Sequence, residues 1–254
     1  MPTSPFSLIS RLRLTQSTTP KKSWDTHFDS RFARRALTAE LKRLHLIALV
    51  QTYLETMSAL GAETFLMHGS LLGWWWNQKI MPWDSDVDVS ISQPTLNYLA
   101  DYYNMTVHRY QLPFDPDDPN SLTSASSASS SSSSPSSFSD DNTHSLGPSR
   151  DYLLDINPHC RNASTADRYN VIDARWIDVA TGLYIDITTL RPHDDVAGVT
   201  ATANNASTSA PTGDADDDRL LSIKDGHAYA TTDIYPLRDS LFEGTPCRLS
   251  LIHI

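Results

Sequence analysis

Residues 64–91 read TFLMHGSLLGWWWNQKIMPWDSDVDVSI, and this stretch decides the fold. The apolar run Thr64–Met67 at its start predicts a short strand. Leu71–Asn77 predicts a brief helix, and Pro82 breaks whatever precedes it. From Asp84 to Ile91, acidic and polar residues alternate with apolar ones, which predicts a strand with one buried face and one chemically active face.

Two acids on that last strand carry the functional interpretation, Asp86 and Asp88. Side chains at positions i and i+2 of a strand point the same way, so two carboxylates there repel each other unless a cation lies between them. Hard divalent ions such as Mg²⁺ or Mn²⁺ prefer such oxygen ligands. An Asp-x-Asp pair alone is weak evidence, but these acids alternate with Val87 and Val89. Asp186 likewise lies between two β-branched apolar residues on a later predicted strand. Three carboxylates from two strands would hold one or two metal ions over a phosphate-bearing substrate.

The pair Gly69-Ser70 follows the first strand directly. A glycine at this point lets backbone N–H groups approach an anion closely, and the serine hydroxyl adds a donor. An ordinary turn is the alternative interpretation. Strand, Gly-Ser, helix, Asp-x-Asp on the next strand and a lone Asp on a later strand are together the elements of the nucleotidyltransferase-fold superfamily.

The flanking sequence predicts one α/β domain over residues 29–254. Asp29–Leu60 has apolar residues at helical spacing, and Gly61 is a natural helix stop. Asn170–Leu190 predicts two strands joined by a turn at Ala180-Thr181-Gly182, with Asp186 on the second strand. Asp173, Asp178 and Arg175, on the first of these strands, are interpreted as exposed ion-pairing residues.

Three segments are predicted to be disordered: a leader over residues 1–28 and low-complexity insertions at about 115–149 and 194–218. The first insertion contains SLTSASSASSSSSSPSSFS at 121–139. Such composition cannot bury enough apolar surface to offset its ordering entropy. For the leader, an Arg/Ser-biased transit peptide or an incomplete gene start are alternatives.

Composition excludes several classes of protein. The 254 residues include 20 basic and 30 acidic side chains, a formal net charge of −10, which argues against a nucleic-acid partner. No apolar run approaches the ~18–20 residues needed to cross a bilayer. Two cysteines are too few for a disulfide scaffold or a Cys-rich zinc site.

The motifs Met67–Gly73 and Met81–Val89 resemble the LicD family. That family includes bacterial phosphocholine transferases, the fukutin group of ribitol-phosphate transferases and fungal proteins of mannan phosphorylation. The Trp-rich stretch Gly73–Asn77 and the block 171–188, VIDARWIDVATGLYIDIT, are most similar to the fungal mannosylphosphate branch. The motifs at 233–238 and 241–244 are similar to the closing motif of the family.

The resemblance implies an α/β (α+β) fold, a nucleotidyltransferase-like mixed sheet flanked by helices. It implies that Gly69 and Ser70 hold donor phosphates, that Asp86 and Asp88 bind Mg²⁺ or Mn²⁺, and that Asp186 is a third acid, as metal ligand or as base for the acceptor hydroxyl.

Three further positions are weighed on the same resemblance. Asp84 shares the strand face and would support the metal ligands. His68 would contact a phosphate, or be a histidine satisfied by the adjoining turn. Trp83, like Trp74–Trp76, would stack on a sugar or base, although core packing is the favoured interpretation for any single tryptophan.

The implied function is metal-dependent transfer of a phosphosugar, such as mannose phosphate from GDP-mannose, onto a glycan hydroxyl. A nucleotide-sugar donor and a glycan acceptor would be its partners. Two alternatives stay open: a catalytically inactive regulator or glycan-binding relative, and a metal-dependent glycosyltransferase with its own Asp-x-Asp.

The expected location is the lumen of the Golgi or endomembrane system. The resemblance points there, and so do sequons at Asn104, Asn162 and Asn205. Residues 1–29 hold no recognisable signal or anchor, so membrane association would require a segment absent from this chain. The chain stops soon after Gly244, where the family continues, and the sequence therefore suggests a truncated carboxyl end.

Overall fold

The computed structural model describes residues 6–11, 27–122, 147–164, 170–193 and 219–252, the first of these ranges as backbone only. The helices are α1 (Ala39–Leu60), α2 (His68–Asn77), α3 (Gln93–Tyr102) and α4 (Thr231–Ile234). The strands are β1 (Phe6–Arg11), β2 (Thr64–Leu66), β3 (Asp88–Ser92), β4 (Thr106–Gln111), β5 (Ser149–Ile156), β6 (Ala174–Asp178), β7 (Tyr184–Pro192), β8 (Leu220–Ser222), β9 (Ala228–Ala230), β10 (Arg238–Phe242) and β11 (Thr245–Leu249).

One mixed sheet carries the fold, in the order β1-β4-β5-β6-β7-β3-β2-β11-β10. Strands β3 and β7 are parallel neighbours, as are β2 and β11, and the other neighbours along this path are antiparallel. The β8–β9 hairpin joins the far end of β7. The predicted α/β class, a mixed sheet flanked by helices, is confirmed.

Helix α1 packs against the sheet and is buried around most of its circumference in its middle turns, where Tyr53 meets Trp176 edge-on. It begins later than the predicted Asp29, because Thr38 caps it by accepting from the N–H of Leu41. Asp29 instead accepts the backbone N–H of Arg31 in a preceding turn. The helix ends at Gly61 in the left-handed conformation, as predicted.

Two boundaries near the site differ from the prediction. Helix α2 starts at His68 instead of Leu71, so Gly69 and Ser70 belong to its first turn. Strand β3 starts at Asp88 instead of Asp84. Its neighbour β2 ends at Leu66, which pairs with Val89, so β2 has no further residues to pair with positions 84–87. The preceding acids therefore lie in a loop, not on the strand.

The ends and insertions of the predicted domain are described in part. Phe6–Arg11, inside the predicted leader, pairs with β4 as an edge strand. Residues 123–146 of the first insertion and all of 194–218 lie outside the described residues, as do 12–26 of the leader. The tail after Gly244 forms β11, whose Leu249 pairs with Leu66 of β2. Within the described ranges, no helix has the length and apolarity to cross a membrane.

Candidate functional site

The candidate site lies where the parallel strands β3 and β7 begin, beside the first turn of α2. Asp88 is the first residue of β3, and in the ladder it pairs directly with Asp186 of β7. Ser70 is buried and its hydroxyl accepts the backbone N–H of Asp88 at 2.9 Å, while the N–H of Met67 donates to the Asp88 carbonyl at 3.1 Å. The strand-to-helix connection thus positions Asp88.

The loop before β3 adds two more carboxylates. A β-carbon at Gly69 would lie 3.5 Å from Asp84 Oδ2, so the Asp84 carboxylate lies against the first turn of α2. Close packing holds the preceding loop, because a β-carbon at Gly73 would come within 2.5 Å of the Lys79 carbonyl. Asp84, Asp86, Asp88 and Asp186 are called the acidic cluster below.

Negative charge in the acidic cluster is only partly compensated. Burial, together with the charges of Asp86, Asp186, Asp84 and Asp225, raises the pKa of Asp88 to about 7. Burial also raises the pKa of Asp186, although Arg175 and His27 act in the opposite direction. Such a donor set fits a hard divalent cation, whose charge would relieve the repulsion.

Two cationic or ionisable side chains in the site were missed by the sequence analysis. Arg175, interpreted as an exposed ion-pairing residue, is half-buried; its Nε lies 3.2 Å from Asp186 Oδ1, and its guanidinium stacks over Tyr184 at 4.2 Å. The predicted turn at Ala180-Thr181-Gly182 contains the signal for this contact, because it places Arg175 opposite Asp186 across the β6–β7 hairpin.

His27 is the second missed residue. Its Nε2 lies 3.3 Å from Asp86 Oδ2 and its Nδ1 lies 3.9 Å from Asp186 Oδ2, so the ring stands between the two carboxylates. A bridge between Phe28 and Leu183 brings this segment to β7. Nothing in the sequence around His27 signals this long-range contact.

His68 contacts residues far away in the chain. Its Nε2 lies 3.7 Å from Asp225 Oδ2, and its ring lies 5.2 Å from that of His227. His68, Asp225 and His227, called the histidine group below, each offer one ligand atom, and these atoms all lie within 4.8 Å of one another. Among the described residues, Asp86, Asp88 and Asp186 do not converge to this degree.

The tryptophans divide into two kinds. Trp74 packs against the core and its Nε1 donates to Ser240 Oγ at 2.8 Å. Trp75, Trp76 and Trp83 are exposed, the last by 74%. Core packing, favoured from the sequence, is therefore wrong for these three: α2 turns Trp75 and Trp76 away from the core, and Trp83 lies in the exposed turn after α2. Trp83 adjoins Asp84 and leaves its ring free of core contacts.

Asp173 and Asp178 are wholly buried, so their interpretation as exposed ion-pairing residues is wrong. Asp173 accepts two hydrogen bonds from the guanidinium of Arg191, at 2.8 and 3.1 Å, and lies 2.8 Å from Lys224 Nζ. Asp173, Arg191 and Lys224 are called the buried ion cluster below. Asp178 accepts from Thr181 Oγ1 and lies 3.0 Å from His45 Nδ1. Both acids are structural groups that the β6–β7 hairpin turns inwards.

The fold is the mixed α/β sheet expected for the nucleotidyltransferase class, with Asp88 and Asp186 paired on its parallel strands β3 and β7. Residues 61–127 match the LicD/FKTN/FKRP nucleotidyltransferase domain, a range that includes α2, β3 and both Asp86 and Asp88. The resemblance to the LicD family is thereby confirmed.

Two relatives of this chain come from Saccharomyces cerevisiae. Mannosyltransferase regulator 4 is 29% identical over 167 residues, which are 66% of this chain and 10% of the relative. Mannosyltransferase regulator 14 is 27% identical over 150 residues, which are 59% of this chain and 12% of the relative. The chain thus spans about a tenth of the length of either relative, and both are fungal, as the branch implied by the resemblance requires.

Proposed function

We propose that this chain is a LicD-type transferase domain that moves a phosphosugar from a nucleotide donor onto a glycan hydroxyl. The observation that carries the proposal is the ladder pair of Asp88 and Asp186 beside the first turn of α2. This arrangement puts carboxylates next to backbone N–H groups at the start of a helix, so that a cation and a phosphate would be held side by side.

The acids have separate roles in this proposal. Asp86 and Asp88 would hold Mg²⁺ or Mn²⁺, which when bound neutralises charge on the donor phosphates. Asp186 would orient the acceptor hydroxyl and take up its proton, a role that suits a carboxylate with a raised pKa. Asp84 would support the ion from the loop.

Donor recognition would fall to the first turn of α2 and its surroundings. Backbone N–H groups at Gly69 and Ser70 would contact the phosphates, and His68 lies at the same end of the helix. The exposed ring of Trp83, next to Asp84, would stack on the sugar or the base. These groups come from one continuous stretch of chain, so they would act together.

Mannose phosphate from GDP-mannose is the proposed transferred group, with a mannan-type glycan as the acceptor. Support comes from the names of the two yeast relatives, both regulators of mannosyltransferase. Turnover with GDP-mannose and a mannan oligosaccharide tests this, because release of GMP reports phosphosugar transfer and release of GDP reports plain mannosyl transfer.

Asp88→Asn is expected to abolish ion-dependent donor binding and GMP release while the fold persists, because the buried face of β3 is untouched. The matched control is Asp101→Asn, which removes an exposed carboxylate that pairs with Arg161. Donor binding and GMP release by Asp88→Asn equal to those of the unmodified chain would contradict the proposed role.

A regulator without turnover is the second candidate function. The names of the relatives favour it, and so does the engagement of Asp186 by Arg175 and His27, which reduces the negative charge left for an ion. Donor binding without release of either GMP or GDP would favour this candidate. Release of GDP would favour the glycosyltransferase alternative.

A lumenal location is proposed on the same grounds, and the sequons sharpen its test. Asn162 is exposed, whereas the side chain of Asn104 is half-buried and accepts the N–H of Ile156 at 3.1 Å. We therefore expect a glycan at Asn162 and none at Asn104 in a chain passed through the secretory pathway. Glycosidase treatment followed by mass measurement checks this, with Asn162→Gln as the comparison.

A further inference from the structure

The turn between β8 and β9 presents two ligand-type side chains to the start of α2. Asp225 and His227 are separated only by Gly226, whose φ of +98° favours glycine. The N–H of Ile223 donates to the His227 carbonyl at 2.9 Å, and the N–H of His227 donates to Asp225 Oδ1 at 2.9 Å. The backbone of the turn is therefore held by its own hydrogen bonds.

Neighbouring residues anchor the turn and support the ring of His227. Lys224, next to Asp225, is buried and binds Asp173 and Asn170 through Nζ. On the other side, the ring of Tyr229 lies nearly parallel to that of His227, with centroids 6.3 Å apart. Asp225 and His227 thus extend from a fixed base.

We propose that His68, Asp225 and His227 form a binding site for a divalent transition ion of the zinc class, beside the acidic cluster and made of other residues. The donor set is two imidazole nitrogens and one carboxylate oxygen. Imidazole suits zinc and similar ions, whereas Mg²⁺ prefers oxygen ligands alone. The site goes beyond the proposed transfer reaction, and its existence does not depend on that reaction.

The separations between the ligand atoms agree with this set. Around a tetrahedral ion with bonds of about 2.1 Å, ligand atoms lie about 3.4 Å apart. Asp225 Oδ1 lies 3.0 Å from His227 Nδ1, and Asp225 Oδ2 lies 3.7 Å from His68 Nε2. These two distances involve different oxygens of Asp225, but one ligand atom from each residue lies within 4.8 Å of the other two, so side-chain rotations would bring the three onto one ion.

The site is open on one side, because the side chain of His227 is 60% exposed and that of Asp225 is 23% exposed. Three protein ligands and an open position are the pattern of ions that also bind a water or a substrate oxygen. Because His68 begins α2, such an oxygen would lie near the donor-binding turn, and His68 would then act on a phosphate through the ion.

Zinc titration of the full chain, stripped of metal with a chelator, tests the proposal without donor or acceptor. Excess Mg²⁺ is present throughout, so that it and not zinc occupies any oxygen-only site. We expect one zinc ion per chain, and a Co²⁺ substitute with the visible absorption bands of nitrogen and oxygen coordination.

Variants assign the ion to these residues. His227→Gln changes an exposed ligand on a hairpin turn, and we expect it to weaken zinc binding at least tenfold, on the order of the loss that follows disturbance of a metal site. His68→Gln is expected to do the same, with circular dichroism checking its fold because His68 has a φ of +47°. His159→Gln, which changes an exposed histidine that does not belong to the histidine group, is the matched control and should leave binding unchanged.

Two results would overturn the proposal. Absence of stoichiometric zinc binding by the unmodified chain would mean that Asp225 only pairs with the two histidines. Equal zinc affinity in the unmodified chain and His227→Gln would place the ion elsewhere. Neither result bears on GMP release, so a failure of the zinc site and a failure of the proposed function are told apart.

Discussion

The acidic cluster and the buried ion cluster show two ways in which this fold holds charges away from water. In the buried ion cluster, Asp173 lies between Arg191 and Lys224, and every charge has an opposite partner within hydrogen-bond distance. In the acidic cluster, carboxylates face carboxylates; Asp186 pairs with Arg175, and the ring of His27 stands between Asp86 and Asp186. Burial is deeper in the first cluster, whereas the second brings like charges next to one another.

The difference distinguishes charges that have opposite partners in the fold from charges to which the proposed function assigns a ligand. Removing one partner of a buried ion pair destabilises a fold, although the intact pair itself adds little stability. Adjacent like charges, in contrast, lower the stability of the fold unless a ligand compensates them. Under the proposed function, a bound cation would compensate the like charges that β3 and β7 bring together. Three substitutions test this distinction.

Asp173→Ala should destabilise the fold by about 3–5 kcal/mol, because it leaves the charges of Arg191 and Lys224 buried without a partner. Urea unfolding monitored by circular dichroism measures the loss. Asp101→Asn, which breaks an exposed pair with Arg161, should cost less than about 1 kcal/mol. Similar losses in the two variants would remove the contrast between buried and exposed pairs.

Asp88→Asn should have the opposite sign at pH 8 in the absence of divalent ions, stabilising the fold by about 2–4 kcal/mol. The pKa of Asp88 is raised from 3.8 to about 7, so the folded state favours the protonated acid. The stability this provides is present below about pH 4 and is lost as the pH rises through about 7; the full shift is worth about 4 kcal/mol as an upper limit.

Unfolding curves of the unmodified chain and of Asp88→Asn at pH 4 and pH 8 measure this difference. The two proteins should be alike at pH 4 and diverge at pH 8. A variant that is less stable than the unmodified chain at pH 8 would show that Asp88 is a structural charge, as Asp173 is.

Arg175→Gln should destabilise the fold by about 1–2 kcal/mol, since it removes the one guanidinium that pairs with Asp186 and its stacking on Tyr184. Adding Asp186→Asn should recover most of the lost stability, because the buried carboxylate that Arg175 would have paired with is then absent. Thermal unfolding of the single and double variants gives the coupling. Arg109→Gln, at an exposed pair with Asp151, is the control, and an equal loss there would refute the special role of Arg175.

Local sequence was enough to predict the strands and the helix around the acidic cluster. The strand, helix and strand within residues 64–92 follow from the spacing of their apolar residues, which is a property of neighbouring positions. The pairing of Arg175 with Asp186 could also have been predicted from the sequence, because the position of a hairpin turn determines which residues of its two strands face each other. The prediction failed at the starts of α2 and β3, since a strand begins where a neighbour offers hydrogen bonds and not where alternation begins.

The α/β class and the resemblance to the LicD family could be predicted from the sequence alone, because short, contiguous patterns carry them; the same patterns singled out Asp86, Asp88 and Asp186 as candidate site residues. Only the tertiary structure decided that Asp173 is a buried structural charge, that His27 stands between two carboxylates, and that Asp225 and His227 meet His68. Those contacts join segments far apart in the chain, and their distances depend on how the sheet orders its strands and how the β8–β9 turn is anchored, which no local pattern records.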